Sequence, residues 1–250
     1  MNEGLGAVCD AFYISSRLFL KLDMPLERET VLHFFDRIRK EFPTVRRLRR
    51  RESSVLLEEE ADERGSRRWL RLDANSIRFG CFQPNDLDEV RRFGALIFNQ
   101  APHHLSLNGL DYDHLELTYG FDLEYRGNHD QLVAETLFAD HAGSAFLLGG
   151  HAAHIIDAQP YYGIALTPEC DMQAYVEVKS HTTTFEVRNA AFEGEPISVF
   201  LTIRKFWTGE PTDALPAMLN TLCDTADELA AERVVPSFVN PLAAAIASRS

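Results

Sequence analysis

Between Asp113 and Tyr125 the chain alternates without interruption, placing Leu115, Leu117, Tyr119, Phe121, Leu123 and Tyr125 on every second residue. A strand turns successive side chains to opposite faces, so these six are expected in one core. The interleaved positions, His114, Glu116, Thr118, Gly120, Asp122 and Glu124, make the other face polar and mostly acidic. One packed and one wet face is the signature of an antiparallel sheet, and such a sheet needs helices or a second sheet over its apolar side.

The rest of the chain supplies both. Residues 12 to 22 alternate in the same way, with Phe12, Ile14, Leu18, Leu20 and Leu22 on one face. Val31, Phe35, Ile38 and Phe42 then recur at helical spacing until Pro43 stops them. A meander is expected over 53–60, 67–72 and 77–82, broken by the polar stretch ADERGS and the turn Asp73-Ala74-Asn75. A second helix opens on a capping box at Asp86 and Glu89, and a third runs from Asn128 to the Gly149-Gly150 pair. Strands are expected near 172–178, 183–188 and 197–207. The most periodic helix follows over 212–232, ended by Pro236 and Pro241, and a short helix closes the chain.

Compared by position, Leu18, Leu20 and Leu22 correspond to Phe121, Leu123 and Tyr125 at an offset of 103 (121 minus 18). The helix and hairpin after each shift by about the same amount. The sequence therefore predicts an α+β fold of two related halves, residues 1–110 and 111–250, each reading strand, helix, strands, helix. A chain of 250 residues buries enough surface to need no staple. Cys9, Cys81, Cys170 and Cys223 stand far apart with no CxxC pair, which predicts free thiols in a reducing cytoplasm.

This element order resembles a sporadically distributed bacterial family of proteins of about this length, whose function is not established. The likeness lies in the helix ending KEFPTV, the hairpin RRWLRLDANSIRF and the closing pair ISVFLTIRKFW and DALPAMLNTLCDTADELA. It covers most of the chain and carries over no site residue.

Three constellations hold candidate chemistry. The first is basic: Arg46, Arg47, Arg49, Arg50 and Arg51 lie in a window, residues 37 to 71, with 12 positive and 7 negative charges, inside a chain of net charge -13. The acidic total argues against a general nucleic-acid or anionic-membrane binder. The local excess instead marks these arginines as an anion or partner site, with nucleic acid open to it but not the favoured partner. Second, seven of the nine histidines lie between 103 and 154, and His141, His151 and His154 are the metal candidates if they converge. Third, the segment NHDQLVAETLFADHAGSAFLLGG resembles the central helix of hotdog-fold thioesterases. That likeness implies a catalytic role for Asp140, with His141 beside it, as base or nucleophile.

No phosphate loop, dinucleotide fingerprint or serine-hydrolase elbow occurs, so no cofactor is expected. Nor is there a basic leader or an apolar run of membrane-spanning length, so a cytoplasmic protein without membrane contact is expected. The function read from the sequence is a non-enzymatic binding or assembly protein, with a thioesterase-like hydrolase as the alternative. Long alternating strands leave sheet edges, so self-association into a closed oligomer is expected, with Glu58, Glu60, Arg67 and Arg71 as edge charges.

Overall fold

A computed structural model of the chain describes residues 5–51, 53–149, 154–207 and 214–249. Strand β1 (Ala11–Leu20) leads into helix α1 (Arg28–Glu41), then β2 (Arg47–Arg51), β3 (Ser54–Glu58), β4 (Arg67–Asp73), β5 (Ser76–Phe82) and helix α2 (Leu87–His104). A 3-10 turn at Gly109–Asp111 precedes β6 (Tyr112–Tyr125). After it come α3 (His129–Leu137), α4 (Ser144–Leu148), β7 (Tyr161–Ala165), β8 (Met172–Lys179), α5 (Thr184–Asn189), β9 (Glu195–Phe206) and α6 (Leu215–Leu229). A π-helical stretch, Ala230–Val239, carries α6 into α7 (Asn240–Ala247). All nine strands form one antiparallel sheet in the order β2-β3-β4-β5-β1-β6-β9-β8-β7.

The alternation seen in the sequence decides which side is packed. Phe12, Ile14, Leu18 and Leu20 of β1, Leu115 through Leu123 at odd positions of β6, and Ile197, Val199, Leu201 and Ile203 of β9 are all buried on one face. Helices α2, α6 and α7 lie over that face, bringing Phe93, Ile97, Leu219, Leu222 and Leu242 into the same core. Gly94 lets α2 approach: a Cβ there would come within 2.5 Å of Leu219 and against Phe79, so the close contact offsets the roughly 0.5–1 kcal/mol that glycine costs mid-helix. Two ionic ties hold the helices. Arg91 of α2 reaches Asp224 (2.6 Å) and Asp227 (2.7 Å) on α6, and Asp227 also accepts from the buried Tyr119 hydroxyl at 2.7 Å. Arg68 of β4 joins Glu59 (2.6 Å) and Glu89 of α2.

Several expected elements differ. The run Arg47–Arg51 is a fully exposed edge strand, paired only on its β3 side, where the sequence offers no apolar alternation. β7 is the opposite edge and is likewise exposed throughout. Residues 184–189 form helix α5, not a strand, because Thr183 and Glu186 close a capping box around its first turn. The long helix expected from 128 to 149 is two, α3 and α4, separated by a turn over 138–143. Pro236 does not end the last helix: the chain widens into π-helical turns around it and continues to Ala247. Asp86 caps α2 through the Asp88 N–H, whereas Glu89 is turned to Arg68. Leu22 lies beyond the end of β1 and is exposed, and Tyr125 is half-buried where the other five of its row are buried.

Candidate functional site: the open face of the sheet

Among the described residues the second face of the sheet carries no matching core. Tyr13, Ser15, Arg17 and Phe19 of β1 are half-buried, as are Trp69 and Arg71 of β4, Arg78 and Phe82 of β5, Thr118 of β6, Phe200, Thr202 and Arg204 of β9, and Tyr175 of β8. Strand register sorts these side chains into rows that cross the sheet. One row runs Arg49, Leu56, Arg71, Arg78, Arg17, Glu116 and Arg204, from edge strand β2 through to β9. Two residues along, a second runs Trp69, Gly80, Ser15, Thr118, Thr202 and Tyr175.

The first row sets three arginines on neighbouring strands directly opposite one another, an arrangement that repels unless charge is supplied. Only part of it is supplied. Arg49 pairs with Glu58 (2.7 Å), Arg71 with Asp73 (2.7 Å) and Arg204 with Glu116 (2.7 Å). Arg17 and Arg78 make no ion pair among the described residues, and the Nε of Arg17 is buried without a hydrogen-bond partner. The Arg17 guanidinium lies 3.9 Å over the Phe19 ring. Burial first, and then Arg78 alongside, hold it below its ordinary pKa.

The second row shows how rings are laid flat. A Cβ on Gly80 would come within 2.8 Å of the Trp69 ring, because the indole covers that glycine on the adjoining strand. Tyr13 covers Gly120 in the same way, and Tyr175 covers Gly163. The Arg204 guanidinium sits 4.8 Å over Tyr175. Phe19, His114 and Phe206 form a stacked line along the other margin of the arginine row, with ring centroids 4.0 and 4.9 Å apart. Between β2 and β5 the face deepens into a groove of about 600 Å³ bordered by Arg49, Arg51, Glu58, Trp69, Arg71 and Arg78. Beyond Tyr13, Asp122 accepts from the Ser198 hydroxyl at 2.7 Å and the Tyr13 hydroxyl at 3.4 Å, and its burial raises the carboxyl pKa.

The sequence-predicted residues fall in three places. Arg47, Arg49 and Arg51 border the groove; Arg46 and Arg50 are exposed but do not line it. Asp140 and His141 are exposed in the turn between α3 and α4, where His141 Nδ1 accepts from the Gly143 N–H at 3.0 Å. His154 is exposed, His151 lies outside the described residues, and among the described residues no three His, Cys, Asp or Glu side chains are grouped as metal ligands. Glu58, Arg67 and Arg71 sit on β3 and β4, inside the sheet, so the charged edge is β2 itself.

Sequence reasoning missed Arg17, Arg78, Trp69 and Tyr13. The Asp73–Ser76 hairpin, which sets Arg71 opposite Arg78, was the local signal for part of this set. All four cysteines are free, with burial pushing the thiols of Cys9, Cys81 and Cys223 up to about 12. No helix among the described residues is long and apolar enough to cross a membrane. Comparison with known proteins finds no family model and no curated protein that matches the chain.

Proposed function

We propose that the chain is a non-enzymatic binding and assembly protein of the bacterial cytoplasm, built from two related halves, which presents the open face of its sheet to a ligand and joins a second copy through β7. The observation that carries this reading is that a sheet of nine strands has one face filled by helices and the other left half-exposed in large rings and arginines. Exposed surface of that extent on an otherwise packed fold marks interaction. The hydrolase alternative has no such support, since Asp140 and His141 stand on exposed surface.

The relation between the halves is supported by register. At the offset of 103 found in the sequence, Ser15 corresponds to Thr118, and these two residues face each other in the β1–β6 pairing. In an antiparallel pair, a residue facing its own counterpart marks a local two-fold axis, here at the middle of both strands. The helices that follow the two sets of strands, α2 and α6, also pack on each other.

For assembly, the two edges are unlike. β2 carries Arg47, Arg49, Arg50 and Arg51, and a second β2 would be repelled; β7 reads YYGIA, with no charge or proline to blunt it. Tyr161, Tyr162 and Ile164 are exposed there. A second copy pairing β7 to β7 about a two-fold axis satisfies its ladder and continues the sheet. Light scattering on a chain of 28.3 kDa tests this: a mass of at least two chains is expected, falling to one in Ile164→Lys. A strictly monomeric parent protein at micromolar concentration overturns the assembly role.

A further inference from the structure

We infer that the open face binds single-stranded nucleic acid, with phosphates held along the Arg71-Arg78-Arg17 row and bases laid on the rings of Trp69 and Tyr13. The inference rests on the reading of that face as a binding surface and names its ligand.

Guanidinium groups recognise phosphate through paired N–H donors, and a guanidinium already bound to a carboxylate has fewer to give. Of the arginines in the row, Arg17 and Arg78 make no ion pair among the described residues, and they stand opposite each other on β1 and β5, while Glu116, opposite Arg17 on β6, is paired to Arg204. An anion entering there relieves the repulsion between them.

The rings give the ligand its second property. Trp69 and Tyr13 cover glycines on neighbouring strands, so each lies along the sheet; Trp69 makes no ring–ring contact among the described residues, whereas Tyr13 is flanked by Phe82, near parallel at 5.8 Å, and by Phe200, edge-on at 6.3 Å. Trp69 lies two residues along β4 from Arg71, and Tyr13 two residues from Ser15 and four from Arg17 on β1. At about 3.3 Å per residue the step from Arg71 to Trp69 is roughly 7 Å, the scale that separates a nucleotide's phosphate from its base, whereas the four-residue step from Arg17 to Tyr13 is roughly 13 Å, so Tyr13 takes a base further along the strand. Ser15, Thr118 and Thr202 line the strip between; Thr118 and Thr202 share a hydrogen bond at 3.1 Å, which leaves the Ser15 hydroxyl and one threonine hydroxyl to donate to phosphate or sugar oxygens. A row of cations beside flat rings is the arrangement that binds unpaired strands without base specificity. A duplex hides its base faces and cannot use the rings; an acidic peptide uses the arginines but gains little from the rings.

The acidic total of the chain fits a confined site. Net charge of -13 weakens long-range attraction, so binding depends on the row itself and is expected to fall with salt.

The test uses the full chain carrying Trp207→Phe, which leaves Trp69 as its single tryptophan. Labelled oligo-dT and oligo-rU of about 12 nucleotides are titrated by anisotropy, with polyglutamate and a duplex of equal length as comparisons. Binding of the single strands is expected with quenching of Trp69, and it weakens about 20-fold between roughly 50 and 200 mM salt if three phosphates are held. Arg17→Gln with Arg78→Gln is expected to lose at least about tenfold in affinity, and Trp69→Leu about 5- to 100-fold, with thermal melts unchanged. Should either variant unfold, the single Arg78→Gln variant, which breaks no ion pair, and Trp69 quenching in the Trp207→Phe protein still decide the matter. No single-strand binding at low salt, or binding without Trp69 quenching, overturns the inference. If polyglutamate binds instead and the arginine variants lose it, this inference fails while the binding face stands. If nothing binds, both fall.

Discussion

The two faces of the sheet are made by the same strands and obey different physics. On the packed face, neighbours across strands are apolar and fully buried, as in Leu18 opposite Leu115 and Phe121 opposite Val199. On the open face the same ladders bring Arg17 opposite Arg78 and Arg71 opposite Arg78, where contact opposes folding. Backbone pairing treats odd and even residues alike, so the cost of one face is carried by the burial on the other. That difference teaches where stability and binding reside, and substitutions can separate them.

The largest effect is expected on the packed side. Phe121→Ala removes a fully buried ring that packs on Phe12 at 5.1 Å and should cost about 3–5 kcal/mol in denaturant unfolding. A loss under about 1 kcal/mol would mean that the packed face is not a single core. An intermediate effect is expected where the packed face meets charge: Asp227→Ala leaves the Tyr119 hydroxyl buried and unpaired and frees one N–H donor of Arg91, costing about 1–3 kcal/mol. Tyr119→Phe in the same background should recover part of that loss, which a double-mutant cycle measures. The smallest effect belongs to the open face. Arg78→Gln removes a repulsion and no ion pair, so stability should stay within about 0.5 kcal/mol of the parent or rise. A large loss there would break the separation of the two faces.

How much of this could be read from the chain follows the same division. Strands β1 and β6 and helix α6 were legible because burial on one side writes a period into the sequence, two for Leu115 to Leu123 and helical for Leu215 to Leu229. β2 and β7 were not, since an edge strand with no buried side chain writes no period: Arg47–Arg51 and Tyr161–Ala165 are exposed along their whole length. Segment 183–188 misled because Phe185 and Val187 alternate, although its capping residues Thr183 and Glu186 carry the helical signal. The arginine run was legible as charge but not as a site. Arg17, Arg71 and Arg78 come from three separate strands, and only the register that places β1 between β5 and β6 makes them a row. The flat rings were hidden for the same reason, since Trp69 and its Gly80, or Tyr13 and its Gly120, meet only across a ladder.

The seam between β1 and β6 also imposes an order in time. Synthesis delivers β1 (Ala11–Leu20) first, yet its two neighbours are β5 (Ser76–Phe82) and β6 (Tyr112–Tyr125), both far downstream. Closing such distant pairs is slow, because the entropy of a long loop is lost before any contact is gained. Once α2 has emerged, the first five strands and two helices can assemble, but one side of β1 stays unpaired until β6 follows. During that interval the nascent chain presents a bare strand edge at what will be the middle of the finished sheet.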